Sequence, residues 1–318
     1  MTVDTTDVVN VVTTDEQTLV SQREVPWLKL GRLVDNPLTA VEAAAQGGIN
    51  FTVTPLPAGY RAGDGTWRTI GNRHVVVRDD TGDPLGVVAS GYQVLQYGEA
   101  FDFMDAVSPH YVAAGSLKGG RQAFMVVRAP ETLKVLKDRD VHELFLVLRT
   151  SHDCTRAVEV SAMPLRHRCM NQLTLRSFAA GVPYRWTVRH TSTLRAKLTE
   201  ASESLARLGA YARRFEENVQ RLAAVKLTEA GARTLLEDVL PDRPRRAEKI
   251  EQIAATWHTS DAVGREFDYT GWGLLNAVSE HMEWQRVGGS PESRFIGALQ
   301  GQTHTALNRL AGRLLSRT

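Results

Sequence analysis

The chain of 318 residues contains only two cysteines and no long hydrophobic run. Two cysteines cannot form a disulfide framework, which excludes the small disulfide-stabilised scaffolds of secreted proteins. No stretch approaches the roughly 18 consecutive apolar residues of a transmembrane helix. Residues 1–25 carry Asp and Thr where a signal peptide has a basic start and an apolar run. These absences predict a cytoplasmic protein without membrane contact.

The common catalytic motifs are also missing from the sequence. It contains no His-Glu-x-x-His, Gly-x-Ser-x-Gly or Gly-x-Gly-x-x-Gly pattern. The acidic residues of its most basic part do not show the paired spacing of a metal-dependent nuclease. We therefore expect no enzymatic activity and no cofactor.

Acidic residues are absent from residues 160–199, a window that holds seven Lys or Arg and two His. The whole chain has a formal net charge of +2, but that charge is uneven. Residues 1–116 hold 7 basic and 14 acidic residues (net −7), whereas residues 117–197 hold 15 and 6 (net +9). Residues 198–318 hold 16 of each. Such asymmetry is typical of a protein that binds a polyanion.

The periodicity of the apolar residues divides the chain into three parts. Residues 1–24 show neither turn signals nor a helical period, which predicts a flexible N-terminal arm. Alternation with period two predicts an antiparallel β-rich domain with one interposed helix over residues 25–190. Apolar steps of three and four residues predict an all-α half over residues 191–318. The predicted fold class is α+β.

Individual elements follow from the same patterns. The predicted strands are Phe51–Leu56, Arg73–Arg78, Leu85–Ser90, Tyr111–Leu117, Ala123–Arg128, Leu144–Thr150 and Ala157–Met163. The predicted helices are a capped helix after Thr39, Gly98–Val107, 170–182, Leu194–Leu222, Thr228–Leu240, 244–259, 270–284 and 291–315. Trp272 and Trp284 in the second-last helix indicate core packing or a contact between protomers.

Basic and aromatic residues alternate between Arg166 and Lys197. Cations bind phosphates and aromatic rings stack on unpaired bases, so this combination suits a single strand better than a duplex. The glycine-rich turn Gly115–Arg121 adds two further cations. The candidate nucleic-acid-binding residues are Lys118, Arg121, Arg166, Arg168, Arg176, Tyr184, Arg185, Trp186 and Arg189. A solvated basic surface with aromatics in the core is the alternative.

Two His-x-Cys units, His152/Cys154 and His167/Cys169, supply ligand types that bind zinc. The spacing is unusual for zinc, although residues i and i+2 of a strand share a face. Buried free thiols are the simpler interpretation, and we expect no metal. A nucleophilic site at Cys169 with His167 and Asn171 is a further alternative.

Three stretches resemble the phage/plasmid-like protein family, a domain of unknown function. They read GVVASGYQVLQYGEAFDFMD, AAGSLKGGRQAFMVVRAP and VLRTSHDCTRAVEVSAMPLRHRCMNQLTL. The resemblance spans residues 25–315 and implies a cytoplasmic protein of a bacterial host, carried by a mobile element. The family has Gly where this chain has Cys154, which argues against a zinc role there, whereas Cys169 and Asn171 match its pattern.

These observations favour a phage-encoded protein that binds single-stranded DNA through a basic-aromatic groove. The more specific hypothesis is a single-strand annealing protein, since such proteins also join a hairpin-rich sheet to a helical tail, which is an analogy of fold alone. The helical half would then hold the protomers of a homo-oligomer together. The alternative is a phage protein-interaction module that acts on a host factor without binding nucleic acid.

Overall fold

The structure is a computed structural model. It describes residues 8–11, 32–34, 38–105, 108, 111–136, 140–166, 173, 185–205, 208–261, 263–285 and 302–318. Its strands are β1 (Val8–Val11), β2 (Arg32–Val34), β3 (Val53–Arg61), β4 (Trp67–Arg78), β5 (Pro84–Ala89), β6 (Tyr111–Leu117), β7 (Gln122–Val135), β8 (Asp140–Ser151), β9 (Val158–Arg166) and β10 (Arg185–Val188).

The helices are concentrated after the last strand. They are α1 (Ala40–Gln46), α2 (Tyr97–Asp105), α3 (Leu194–Leu205), α4 (Leu208–Ala224), α5 (Glu229–Val239), α6 (Arg246–Thr259), α7 (Gly271–Glu280) and α8 (Gln302–Leu315). A 3-10 turn at Arg265–Phe267 precedes α7, and a π-helical turn at His281–Gln285 follows it. Strands followed by helices give the α+β fold class that the sequence predicts.

The strands form two sheets. The larger has seven strands in the order β10-β9-β8-β7-β6-β1-β2, and all neighbours are antiparallel except β1 and β2. The smaller is the antiparallel sheet β3-β4-β5. Short turns connect β6 to β7 and β4 to β5, and the first of them lies in the glycine-rich turn that the sequence predicts.

The N-terminal segment differs from the sequence prediction. Val8–Val11 is a strand of the larger sheet, in which Val9 is paired with Ala114 of β6 and with Arg32 of β2. Its pairing with two strands means that this part of the expected flexible arm is held by the sheet. The other residues of the segment 1–24 lie outside the described residues.

Helix starts follow the capping signals of the sequence. The Thr39 side chain accepts a hydrogen bond from the Glu42 N–H, and the Glu42 carboxylate accepts one from the Thr39 N–H (2.9 Å), which completes the predicted capping box. The Thr228 hydroxyl caps α5 by accepting a hydrogen bond from the Gly231 N–H (3.1 Å).

The predicted helix over Leu194–Leu222 corresponds to α3 and α4. Residues 206–207, between these two helices, lie outside the described residues. The helix predicted at 170–182 also lies outside them, apart from Leu173.

One continuous cluster of buried apolar side chains joins the sheets to the helical half. His142 at the start of β8 packs against Phe215 of α4, with ring centroids 5.2 Å apart. Phe101 of α2 packs edge-on against Tyr111 of β6, at 4.9 Å. The larger sheet therefore has one end covered by helices α4 and α7, and its opposite end holds the candidate site.

Candidate nucleic-acid interface

Strand pairing places several connections at one end of the larger sheet. Leu117 of β6 pairs with Gln122 of β7, which pairs with Ser151 of β8. Val158 of β9 pairs with Val188 of β10. The residues that follow or precede these pairs therefore lie side by side at the same end, although they are far apart in sequence.

This end carries four cations, and we call it the basic end: Lys118 and Arg121 in the β6–β7 turn, Arg156 before β9, and Arg189 after β10. Lys118, Arg121 and Arg189 are exposed and form no ion pair with a described residue. These exposed cations form a row across the end of the sheet. Arg121 and Arg189 are separated in it by the three strand spacings from β7 to β10, about 14 Å. The structure therefore brings together three of the predicted nucleic-acid-binding residues.

Sequence reasoning missed Arg156. Its half-buried side chain donates to the Gln122 carboxamide oxygen (3.4 Å), and the Gln122 amide donates to the Thr155 hydroxyl (2.8 Å). The signal that could have found it is the adjacency of the β6–β7 and β8–β9 connections in a meander of antiparallel strands.

The turn at the basic end has an unusual backbone. Lys118, Gly119 and Gly120 have φ values of 55°, 66° and 83°, three consecutive residues in the left-handed region. Glycine adopts this conformation without steric cost, which explains the Gly-Gly pair. A Cβ on Gly120 would also lie 3.0 Å from the Phe51 ring. The conformation leaves the Lys118 and Arg121 side chains exposed at the tip.

Beneath the turn lie two tyrosines whose hydroxyls hold the backbone of the two connections. Tyr97 donates to the Gly120 carbonyl oxygen (2.9 Å), and Tyr92 donates to the Ser151 carbonyl oxygen (2.7 Å). Burial raises the pKa of both hydroxyls well above the usual range. Both tyrosines therefore remain neutral and fix the position of the basic turn.

Two histidines pack against these tyrosines beneath the turn. His190 donates from Nδ1 to the Gln93 carbonyl oxygen (2.9 Å) and stacks on Tyr92 at 4.6 Å. His152 is fully buried against Tyr97, at 4.4 Å, and neither of its ring nitrogens has a hydrogen-bond partner among the described residues. Burial lowers the pKa of His152 to about 3, so it is neutral at physiological pH.

Carboxylates also lie at this end of the sheet. Burial raises the pKa of Asp153, but the hydrogen bonds that it accepts from the Thr155 hydroxyl and N–H, with a smaller contribution from Lys118, outweigh this effect and lower the pKa below its usual value. Asp80 in the β4–β5 turn is paired with Arg78 (2.8 Å). The basic end therefore has a mixed charge pattern in which the acids are bonded within their own turns.

Arg166, a predicted phosphate-binding residue, lies at the opposite end of the sheet, which we call the buried end. Its side chain is 0% exposed and donates to the Asp140 carboxylate (2.8 and 3.0 Å) and to the Val263 carbonyl oxygen (3.1 Å). Trp272 of α7 donates its indole N–H to the same carboxylate (2.8 Å). Arg166 therefore joins the sheet to the helical half and presents no surface to a nucleic acid.

Trp272 has the same structural role rather than that of a contact between protomers, since it is fully buried. Burial raises the pKa of Asp140, but Arg166, with smaller contributions from His142 and Trp272, outweighs this effect and lowers the pKa below its usual value. The carboxylate is therefore ionised in the folded protein.

Arg185 and Trp186 of β10 are only partly available. Arg185 is half-buried and shares the buried carboxylate of Glu159 with Arg149. Trp186 is half-buried and stacks on Phe103 of α2, at 6.0 Å. Neither side chain belongs to the exposed row of the basic end.

The remaining candidates lie outside the described residues. These are Arg168, Arg176, Tyr184, His167, Cys169 and Asn171. For the zinc hypothesis, Cys154 is exposed in a bend with φ 60°, so His152 and Cys154 do not share a strand face as the hypothesis required. The described residues contain no group of three His, Cys, Asp or Glu side chains that could hold a metal ion.

Comparison with known proteins identifies the family of the chain. A family model, Domain of unknown function (DUF932), matches residues 84–310, which include the whole basic end and the buried end. No curated protein and no solved structure matches the sequence. Among the described residues, no helix combines the length and hydropathy needed to cross a bilayer. Because the family model covers more than two thirds of its length, the chain belongs to the family Domain of unknown function (DUF932).

Proposed function

We propose that this protein binds single-stranded nucleic acid, with DNA as the favoured substrate, at the basic end of its larger sheet. The observation that carries the proposal is the row formed by exposed Lys118 and Arg121 of the β6–β7 turn and Arg189 after β10, two parts of the sequence that strand pairing brings together. Exposed cations on rigid turns can bind successive phosphates without first giving up another ion pair.

A single strand fits this end better than a duplex because the row is short and lies on turns. The cations of the basic end lie on turns and after a strand end, rather than along one helix that could enter a major groove. The finer features of the hypothesis belong to the same proposal: annealing of complementary strands by a homo-oligomer, carriage by a phage or plasmid, and action in the bacterial cytoplasm.

The experiment is a fluorescence anisotropy titration of labelled oligo(dT) at increasing salt concentrations. With three to four phosphates neutralised, the logarithm of the association constant should fall against the logarithm of salt with a slope of about −2 to −3. The variant Lys118→Gln/Arg121→Gln/Arg189→Gln should lose most of this slope.

The matched control is Arg213→Gln/Arg309→Gln/Arg317→Gln, which removes the same charge from exposed positions of the helical half. It should bind as the wild type does. Absence of oligo(dT) binding at low salt would contradict the proposal, and equal losses in both triple variants would show that only net charge matters. Capture of a host protein without any nucleic-acid binding would support the protein-interaction alternative instead.

A further inference from the structure

The β3–β4 hairpin projects aromatic side chains into solvent. Of the large apolar side chains that are exposed among the described residues, five of seven belong to the smaller sheet. They are Leu56, Tyr60, Trp67, Ile70 and Val87. In β4, every residue from Trp67 to Arg73 is exposed, so this part of the hairpin is covered on neither face. We call residues 59–73 the arm, which is distinct from the N-terminal segment 1–24.

The register of the arm places an arginine beside each aromatic ring. Tyr60 pairs with Arg68, and Arg61 pairs with Trp67. Residues directly opposite each other on antiparallel strands point to the same face, with Cβ atoms about 5 Å apart. One face of the arm therefore presents a tyrosine with an arginine, and the other face presents a tryptophan with an arginine.

The Trp67 ring is supported by the backbone of the partner strand. A Cβ built on Gly59 would lie 2.6 Å from two atoms of the indole, so the ring lies across a position where only glycine fits. Even so, Trp67 is 64% exposed and Tyr60 is 52% exposed. An exposed ring held in place by its own hairpin can accept a planar ligand with little loss of conformational entropy.

The charge of the arm identifies the kind of ligand. The arm contains three arginines and one acid, Asp64, which is paired with Arg68 (3.3 Å). A ring that stacks on a base, beside a guanidinium that binds the adjoining phosphate, is the arrangement found in non-specific single-strand binding. A protein partner would also contact the aromatics, but it would not require a cation beside each ring.

The hairpin that carries the arm touches the basic end at its other end, away from the arm. Phe51, two residues before β3, lies against Gly120 of the β6–β7 turn, and the Arg78 guanidinium at the end of β4 lies 3.8 Å above the Phe51 ring. Gly59 is six residue steps after Val53 in β3, a distance of about 20 Å at the usual rise of a strand. A strand bound at the basic end could therefore continue along the hairpin.

We infer that the arm is a second contact for single-stranded nucleic acid, in which Tyr60 and Trp67 stack on bases, Arg61 binds a phosphate, and Arg68 exchanges its weak, exposed pair with Asp64 for a phosphate. The inference rests on the proposed function and adds a site outside residues 84–310, the part of the chain that the family model matches.

The test compares labelled oligo(dT) with an abasic oligonucleotide of the same length, which keeps the phosphates and lacks the bases. The variant Tyr60→Ala/Trp67→Ala should lower the affinity for oligo(dT) about 10- to 100-fold and leave the affinity for the abasic strand within about twofold of wild type. Tyr60→Phe/Trp67→Phe should restore most of the loss, because phenylalanine also stacks. Tyr269→Ala, which removes an exposed aromatic from the helical half, should bind as the wild type does.

The outcomes separate this inference from the proposed function. If the wild type binds oligo(dT) and the double alanine variant binds equally well, the arm is not a contact, whereas the basic end can still be one. If the double alanine variant instead has a lower molar mass in analytical ultracentrifugation and unchanged affinities for both oligonucleotides, the arm joins copies of the chain and the inference is wrong. If the wild type binds neither strand, both proposals fail.

Discussion

The two ends of the seven-stranded sheet use arginine in opposite ways. At the buried end, Arg166 is enclosed between the sheet and α7, and its charge is balanced by Asp140. At the basic end, Arg121 and Arg189 are exposed on connections between strands. The same residue type therefore stabilises the packing of two halves at one end and remains available to a ligand at the other.

This difference shows why charge counted along a sequence overstates the charge available for binding. The excess of nine positive charges in residues 117–197 includes arginines that are bonded to carboxylates in the folded chain. Arg149 and Arg185 share Glu159, and Arg166 is paired with Asp140. Exposure and pairing, rather than the count, distinguish a binding cation from a structural one.

The largest effect is expected at the buried end. The buried Asp140 carboxylate accepts hydrogen bonds from the side chains of Arg166 and Trp272. Arg166→Met removes the charged donor and leaves the Trp272 indole N–H in place. Loss of one partner from a buried ion pair costs about 3 to 5 kcal/mol, because the other charge stays desolvated. Urea unfolding should show this loss in the free energy of unfolding.

An exposed pair provides the comparison for that variant. Arg214→Met removes one partner of the exposed pair with Glu217 on α4 and should cost less than about 1 kcal/mol. A similar small cost for Arg166→Met would show that the buried end does not depend on its ion pair.

An effect of intermediate size is expected from His152, which lies beneath the basic end and makes the free energy of unfolding depend on pH. The pKa of His152 is lowered to about 3 in the folded chain, below the ordinary value of 6.5. Between these values the unfolded state binds the additional proton, so the stability of the fold falls as the pH decreases from about 6.5. From pH 7 to pH 5 the loss due to His152 alone is about 2 kcal/mol.

The variant His152→Phe keeps an aromatic ring beside Tyr97 and removes the titrating group. Its free energy of unfolding, measured by urea titration at the two pH values, should decrease less than that of the wild type. The pKa of His190 is also lowered by burial, so part of the decrease should remain. Equal decreases in wild type and variant would show that His152 does not contribute.

The smallest effect on stability is expected from the exposed cations. Lys118→Gln/Arg121→Gln/Arg189→Gln should change the free energy of unfolding by no more than about 0.5 kcal/mol per site, because the side chains are exposed and unpaired with described residues. Thermal unfolding checks this directly. A large destabilisation would mean that the basic end also has a structural role, and the loss of DNA binding could not then be assigned to phosphate contacts.

Much of the fold could be predicted from local sequence signals. Tyr111–Leu117 forms a strand with the predicted bounds, the Thr39 cap begins α1 as expected, and the helix predicted from Thr228 begins at Glu229. These signals depend on alternation and capping, which involve near neighbours. The strand at Val8–Val11 was missed because its short apolar run is stabilised by pairing with β6, more than a hundred residues away.

The candidate site was predicted less completely, for a related reason. Lys118, Arg121 and Arg189, proposed from the basic and glycine-rich segments, lie together and exposed at one end of the sheet. Arg166 was proposed with them because its burial depends on α7 and could not be predicted from its own segment. The arm was missed because alternating polar and apolar residues do not reveal that both faces of a hairpin are exposed. Burial and exposure at these positions are set by tertiary contacts.

The most direct test of the account is to map where a single strand touches the protein. Photo-crosslinking of oligo(dT) that carries a halogenated uracil, followed by mass spectrometry, identifies the contacted peptides. We predict crosslinks in the β6–β7 turn, near Arg156 and Arg189, and at Tyr60 and Trp67 of the arm. Crosslinks confined to the helical half after Leu194 would contradict the central claim that the basic end of the sheet binds the strand.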